Sequence, residues 1–353
     1  MKRKDSNRHK DYGELFAVQD LQRRLEKRVT GLDKLEQVID FEVFRPVLEE
    51  QTDFVGESSR GGRPAFDLVV MFKVLVLQRY HDLSDEETEY QLVDRISFRK
   101  FAGIGLGQAI PDRNTIWKFK ERLGSEGMEA VFAAFNRVLE GSGLSASKGK
   151  IVDATIVEVP RQRNTREENR QIKEGEVPDA WMSKEAEAKV RQKDLDARWT
   201  RKHGRDYYGY KNHVKVNAKT KLIEDFEVTN AAVHDSQCVE SLVDESRDGV
   251  LHADSAYRSA AISALLKRCK VRNCVQHRAW RGGSLSARQQ AQNAQRSRVR
   301  ARVEHVFGFI CGVMRADRLR TIGMERARRG IGLANLVYNL CRLGQLGYSM
   351  RVA

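Results

Sequence analysis

Three carboxylates stand where a charge needs a reason. Asp153 lies inside the run KIVDATIVEV, with Val152 and Ile156 around it. An isolated ionised group in so apolar a strand is costly unless something compensates it. Asp254 closes the run GVLHAD and precedes Ser255, Tyr257 and Arg258; Glu304 sits in RARVEHVFG, with Arg300, Phe307 and Cys311 at helical steps of three and four on one face. Asp254 has two readings. It is the N-cap of a following helix, or it is a ligand at the carboxyl end of a strand, where α/β sheets bind ligands. Three hard oxygen donors suit Mg²⁺ or Mn²⁺ and not zinc. Two such ions would activate a water or a 3′-hydroxyl and stabilise the leaving oxygen of a phosphodiester. The acids are 101 and 50 residues apart, a spacing that alone decides little in a chain with 49 Asp and Glu.

The secondary-structure context carries more weight. Up to about residue 147 the apolar period is helical, in LQRRLEKRV, LDKLEQVIDF and FDLVVMFKVLVLQRY, with Pro64 suited to a first turn. Ser84 and Glu87 have capping-box spacing, and Asp112 reads as the N-cap of RNTIWKFKERL. Ser84 to Leu123 therefore fits a helix-turn-helix whose reading helix, Arg113 to Arg122, carries Arg113 and Lys118; an ordinary bundle with a basic face fits equally.

Near residue 150 the period changes. KIVDATIVEV reads as a central buried strand, and YYGYKNHVKVNA and LIEDFEVTNA as a hairpin joined through KTK. Helix, strand, helix and strand follow in DSQCVESLVDES, GVLHAD, SAAISALLKRC and VRNCVQ, before a last long helix over RVRARVEHVFGFICGVM. The expected class is α/β: an all-helical part at 1–147, then a mixed sheet with helices at 148–353. Between Arg161 and Arg205, 22 of 45 residues are charged and 11 apolar, which marks a charged insertion, helical around SKEAEAKVRQKDLDARW or else a disordered loop.

Charge names the partner class. Lys and Arg total 63, giving a formal +14 over 353 residues, as a polyanion-binding protein would have. A membrane is the weaker choice, because the longest near-apolar run, Leu68 to Leu77, has ten residues and includes Lys73. MKRKDSNRHK is basic with no apolar segment behind it, so it reads as a phosphate-touching arm and not a secretory signal. Five cysteines without a CxxC pair fit reduced thiols in a cytoplasm.

Taken in order, PDRNTIWKFKERL, VDATIVEVPRQRN, YYGYKNHVKV, TNAAVHDS, ADSAYRS, RARVEHVFG and RTIGMERARRGIGLANLVYNLCRL resemble the DDE transposases of bacterial insertion sequences, particularly the insertion-sequence-five group. The resemblance covers nearly the whole chain. It implies an RNase H-like catalytic domain after the helical one, with catalytic, metal-holding acids at Asp153, Asp254 and Glu304. It also implies Mg²⁺ or Mn²⁺ as two ions, double-stranded DNA as partner, a homodimer or larger assembly on that DNA, and a place at the bacterial nucleoid. The family signature around the glutamate is Tyr, two residues, Arg, three residues, Glu, six residues, Lys. Arg300 and Glu304 match it, so a phosphate contact carries over to Arg300; Ser297 and Cys311 stand in place of the tyrosine and the lysine.

Other residues add to the expected DNA surface. Arg296 to Arg329 holds ten arginines and no lysine, and arginine forks match phosphate geometry. Lys211, His213 and Lys215 alternate on one strand face, where the lysines would track phosphates and the histidine would hydrogen-bond. Tyr257 and Arg258 would steady the scissile strand. Trp199 would stack on an unpaired base, or with Trp181 anchor the insertion. The implied activity is transposition: binding the terminal inverted repeats, cutting to expose 3′-hydroxyls, and joining these to target DNA. The alternative is a catalytically impaired DNA-binding regulator derived from such an enzyme, which the departures at Ser297 and Cys311 favour.

Overall fold

The computed structural model describes residues 29–52, 64–183, 186–202, 204–279 and 282–348, together with Arg23, Arg24 and Lys27. The basic arm at the start of the chain lies outside the described residues.

The first elements are helices: α1 (Gly31–Val38), α2 (Arg45–Gln51), α3 (Leu68–Tyr80), α4 (Asp85–Asp94), α5 (Ile96–Ala102) and α6 (Arg113–Gly141). Helix α3 is apolar on all sides, and its residues from Val74 to Leu77 are completely buried, as such a helix must be. It begins at Leu68 with Asp67 as its N-cap, so Pro64 precedes the helix instead of opening it. Ser84 and Asp112 cap α4 and α6, but the capping box is half formed, because the Glu87 carboxylate accepts from Gln91 instead of from the Ser84 amide. Gly124 breaks α6 at φ +62°, a conformation that favours glycine. Glu325 accepts from the Ser125 amide just beyond the break and so caps the second half.

A six-stranded mixed sheet follows, from β1 (Gly149–Glu158), β2 (Arg198–Lys202), β3 (Arg205–Asn217), β4 (Ile223–Asn230), β5 (Val250–His252) and β6 (Arg272–Asn273). β1 and β3 pair antiparallel along their length, and the far edge of β3 is shared by β2 and then β4. On its other side β1 pairs parallel with β5, and β5 with β6. Gly209 sits where β3 passes from β2 to β4. A Cβ there would lie 2.2 Å from the Val157 carbonyl oxygen, so only glycine allows that close approach.

Helices α7 (Arg166–Glu174) and α8 (Glu187–Val190) lie between β1 and β2; α9 (Val239–Leu242) and α10 (Ala260–Arg268) flank β5. The charged segment is thus helical mainly earlier than expected, and its end is an unexpected strand, β2. The predicted last helix is three pieces: α11 (Ala287–Arg300), α12 (Arg302–Phe307) and a π-helical turn over Gly308–Val313. Beyond them α13 (Met324–Gln345), which periodicity did not pick out, runs for 22 residues.

Helix α13 joins the two halves. Its Leu336, Val337 and Leu340 are buried in one hydrophobic cluster with Phe72 and Leu75 of α3, Phe132 and Phe135 of α6, and Val214 and Val216 of β3. Two asparagines lock it to the sheet. Asn335 exchanges amide hydrogen bonds with Asn212, and Asn339 bonds both the amide and the carbonyl of Ile223. The helical part and the sheet therefore share a core. No helix among the described residues is long and apolar enough to cross a membrane.

Candidate active site

The 101-residue interval between the two aspartates is a strand register. β1 and β5 pair as Gly149 with Val250, Lys150 with Leu251 and Ile151 with His252, each 101 apart. Carried two residues past the last pair, the same register sets Asp153 level with Asp254. Adjacent strands run about 4.8 Å apart. Asp254 lies just beyond the end of β5, and its Oδ1 accepts from the Ala256 amide at 2.8 Å, so it also caps the 3₁₀ turn Ser255–Tyr257. Both readings of this residue are compatible, because the cap uses one carboxylate oxygen.

Asp153 and Thr155 point to the sheet face that α12 and α13 cover, the face of their cross-strand neighbours Val214 and Asn212. Val303 and Val306 bury α12 on that face and leave Glu304 at its edge, with its side chain 60% exposed. Arg300, one turn earlier, links the acids: Nη1 donates to Asp153 Oδ2 at 2.9 Å, and Nη2 lies 3.4 Å from Glu304 Oε1. Burial raises the Asp153 carboxyl to about 6. The Ala154 amide and Arg300 oppose the shift, and Asp254 and Glu304 add to it. Both other acids therefore act electrostatically on the buried one.

Among the described residues, no three His, Cys, Asp or Glu side chains are gathered tightly enough to hold a metal ion. The donor chemistry still fits a hard divalent cation. A buried carboxylate repelled by two others lacks positive charge, and Arg300 supplies some of it from between Asp153 and Glu304.

The raised Asp153 sets a stability prediction. Its folded pKa exceeds the ordinary value of 3.8, so the fold favours the protonated form. That contribution is complete below pH 3.8 and disappears as pH rises through about 6. Asp153→Asn, which cannot ionise, should therefore be more stable than the parent at pH 7 without metal, by roughly 1–3 kcal/mol. The gain should vanish near pH 4. Thermal melts at the two pH values check this; equal melting temperatures at pH 7 would mean that burial costs the carboxylate little.

Three expected DNA contacts, Lys211, Lys215 and Tyr257, fall differently. Lys211, His213 and Lys215 do share a face of β3, but it is the face opposite Asp153, and it is covered. Lys211 donates to the Val233 carbonyl and pairs with Asp235 at 2.8 Å; Lys215 lies 3.6 Å from Asp248 with its side chain 5% exposed. His213 is buried on Thr229, and burial pushes its pKa down to about 4. Tyr257 is completely buried in the cluster with Val152 and Leu251, so it floors the site instead of meeting DNA. Its hydroxyl has no hydrogen-bond partner among the described residues, and burial beside Asp153 and Asp254 raises its pKa well above 10. Alternation revealed the shared strand face but not what covers it.

Arg258 is exposed, with Nη1 near the Val275 and Gln276 carbonyls, and Arg113 and Lys118 are exposed on α6. Of the ten arginines from 296 to 329, Arg298, Arg302, Arg315, Arg318, Arg320 and Arg328 are exposed. Six bind protein groups: Arg296 the Val275 carbonyl, Arg300 the acids, Arg302 the Ala218 carbonyl, Arg320 Asp82, and Arg326 and Arg329 Glu121. The Asp317–Leu319 segment is hydrogen-bonded to Glu158 at the end of β1. It thereby places Arg315, Arg318 and Arg320 along a cavity of about 750 Å³ that Cys311 also lines. Cys311 Sγ is 3.9 Å from Thr155 Oγ1, on the Asp153 side of the sheet. Trp181 is buried and donates to Glu168, whereas Trp199 is 44% exposed beside Tyr208 and Arg161. The first anchors the charged segment, and the second leaves part of its ring open to solvent.

A family model described as a transposase DDE domain matches residues 145–340, and a second, described as a transposase domain, matches residues 19–122. Among solved structures, the cryo-EM structure of the piggyBac transposase synaptic complex with hairpin DNA is similar at 10% identity and a TM-score of 0.45. That match covers 94% of this chain and 79% of the other.

Proposed function

The chain belongs to the family of transposases that carry the DDE domain, and on that premise we propose that it cuts and joins DNA at Asp153, Asp254 and Glu304. The observation that carries this reading is the β1–β5 register, which brings two acids 101 residues apart to one level, with Glu304 tied to the first through Arg300. We assign it to bacterial insertion sequences of the insertion-sequence-five group, acting at the nucleoid. The sheet, antiparallel strands on one side of β1 and parallel ones on the other, supports an RNase H-like domain. The helical part at 1–147 would read the terminal inverted repeats, and residues 148–353 would hold the chemistry, with the insertion at about 161–205.

Asp153, Asp254 and Glu304 would hold Mg²⁺ or Mn²⁺, as two ions. When bound, these supply activation of the attacking oxygen and neutralisation of the leaving one. The chain does the positioning. The β1–β5 register fixes two carboxylates, α12 brings the third, and the buried Tyr257 cluster keeps water from beneath them. Arg300, once released from Asp153, is placed to hold a phosphate oxygen of the scissile strand. The exposed arginines that begin beside Cys311 would carry the duplex. Attack by water exposes a 3′-hydroxyl, and attack by that hydroxyl on target DNA joins the strands by transesterification, with no covalent enzyme intermediate. Both ends must be held together, which requires a homodimer or larger assembly.

The regulator reading is favoured by Ser297, which accepts from Gln276 Nε2 at 2.6 Å, and by the neutral Cys311. Incubating the full chain with Mg²⁺ and duplex from the DNA flanking its gene separates the two. Nicked ends, and joining when precut ends are supplied, support transposition. Tight binding without either product supports the regulator.

Cys311 yields a smaller prediction. Burial raises its thiol pKa, so it carries no charge at neutral pH. Cys311→Lys would project an ammonium into the adjoining cavity, which has room for it. End binding should tighten about fivefold, for one phosphate contact worth roughly 1 kcal/mol, and the salt slope should steepen by about 0.9. An unchanged slope in a variant that melts normally would mean that DNA does not pass Cys311.

A further inference from the structure

A second cavity, of about 310 Å³, lies away from the three acids, between the helical part and the segment after the π turn. Its walls come from α3, the α3–α4 turn, α6, residues 318–321 and α13. Six cations line it: Arg79, Lys120, Arg318, Arg320, Arg326 and Arg329. Three carboxylates answer them. Asp82 meets Arg79 at 2.9 Å and Arg320 at 3.5 Å, Asp85 meets Lys120, and Glu121 meets both Arg326 and Arg329 at 2.8 Å. Positive charge therefore exceeds negative around this half-open space. Asp82 holds its two arginines from a left-handed backbone conformation, φ +53°, uncommon outside glycine.

Two donors in these walls are shielded from solvent and have no acceptor among the described residues, Arg79 Nε and Thr321 Oγ1. Buried donors are nearly always satisfied, so a pair left open in one cationic cavity points to an anionic acceptor. The remaining walls carry the polar Gln78 and Ser84 beside an apolar stretch that includes Leu75, Leu123, Met128 and Leu333. A bare inorganic anion would leave that surface unused. A ligand with an anionic end and a flat ring whose faces suit aliphatic side chains and whose edges suit Gln78 and Ser84 would use both, and the volume is at the lower end for a small-molecule site.

We propose that this cavity binds a nucleoside monophosphate unit, with its phosphate on Arg79, Arg320 and Thr321 and its base against the leucine and methionine wall. The unit is either a free nucleotide or one nucleotide of a DNA strand. The walls belong to both the helical part and the segment hydrogen-bonded to β1, so the occupant would bridge the two. The site does not depend on the metal chemistry proposed above, and its failure would leave that reading untouched.

Titrating the full chain with 5′-dAMP, inorganic phosphate and deoxyadenosine in a calorimeter tests this. 5′-dAMP should bind at least about tenfold more tightly than either fragment. Arg320→Ala, which removes an exposed side chain, and Thr321→Val, which removes the unpartnered hydroxyl, should each weaken 5′-dAMP about fivefold or more without changing the melting temperature. No binding of 5′-dAMP, binding no tighter than that of phosphate, or affinity indifferent to both substitutions would overturn the proposal. Under conditions where 5′-dAMP binds, displacement by a single-stranded oligonucleotide identifies the DNA strand as the source. Binding that persists beside the oligonucleotide identifies the free nucleotide.

Discussion

Asp153→Asn, Asp254→Asn and Glu304→Gln should each lower strand cleavage and joining by about 10³-fold or more, with binding of end-bearing duplex within a few-fold of the parent. These substitutions keep shape and remove charge, so each isolates the ligand role from packing. The Asp254 variant is the most informative. Asn caps as well as Asp does, so the amide can still accept from the Ala256 N–H that Asp254 now binds. If Asp254 served only as a cap, Asp254→Asn would remain active. Glu304 is largely exposed, so its replacement should leave the melting temperature alone. Asp153→Asn should combine two outcomes, a more stable metal-free protein and a catalytically dead one, because the burial that raises its carboxyl to about 6 opposes the charge the chemistry uses. His305→Ala is the control: its side chain leaves the helix about 100° away from Glu304, and its rate should change only a few-fold. A Glu304→Gln protein with most of its joining activity would remove Glu304 from the site.

The candidate site was legible because its signals are local and strong. An acid within a β-branched run, another closing a strand and a third with an arginine one turn before it are visible without coordinates. The reason for the 101-residue spacing was not, since it is the offset of a parallel pair whose strands are joined through the hairpin and α9. Coverage was the other gap. β3 alternates, but both of its faces are buried, and Lys211 and Lys215 satisfy their charge on Asp235 and Asp248 instead of on solvent. Helix α13 escaped notice because GIGLANLVYNL is apolar around the helix and so lacks a one-sided stripe. Strand β2 was hidden for the opposite reason. RWTRK is too charged to read as a strand and forms one at the edge of β3, where charged side chains are at home.

Duplex affinity should fall about 150-fold between 50 and 200 mM salt, if Arg298, Arg315, Arg318 and Arg328 each neutralise one phosphate. Four contacts give a slope of about −3.6 in log affinity against log salt, and contacts from the helical part would steepen it. The arginines bound to protein groups should add nothing, because their charge is already answered in the folded chain. Replacing Arg298, Arg315 and Arg328 together with alanine should therefore reduce the slope by about 2.7, equally for end-bearing and unrelated duplex. Arg113 and Lys118 lie on the helix assigned to reading bases. Their replacement should instead narrow the difference between end-bearing and unrelated duplex. The comparison has to be made in the full chain. The catalytic half cut away at residue 148 would expose the face of α13 that packs against α3 and α6, so its binding would report a damaged core. Were the triple arginine variant to keep the parent slope, DNA would not follow the surface these arginines form. Were Arg113 and Lys118 to change the slope but not the preference, sequence reading would belong elsewhere than on α6.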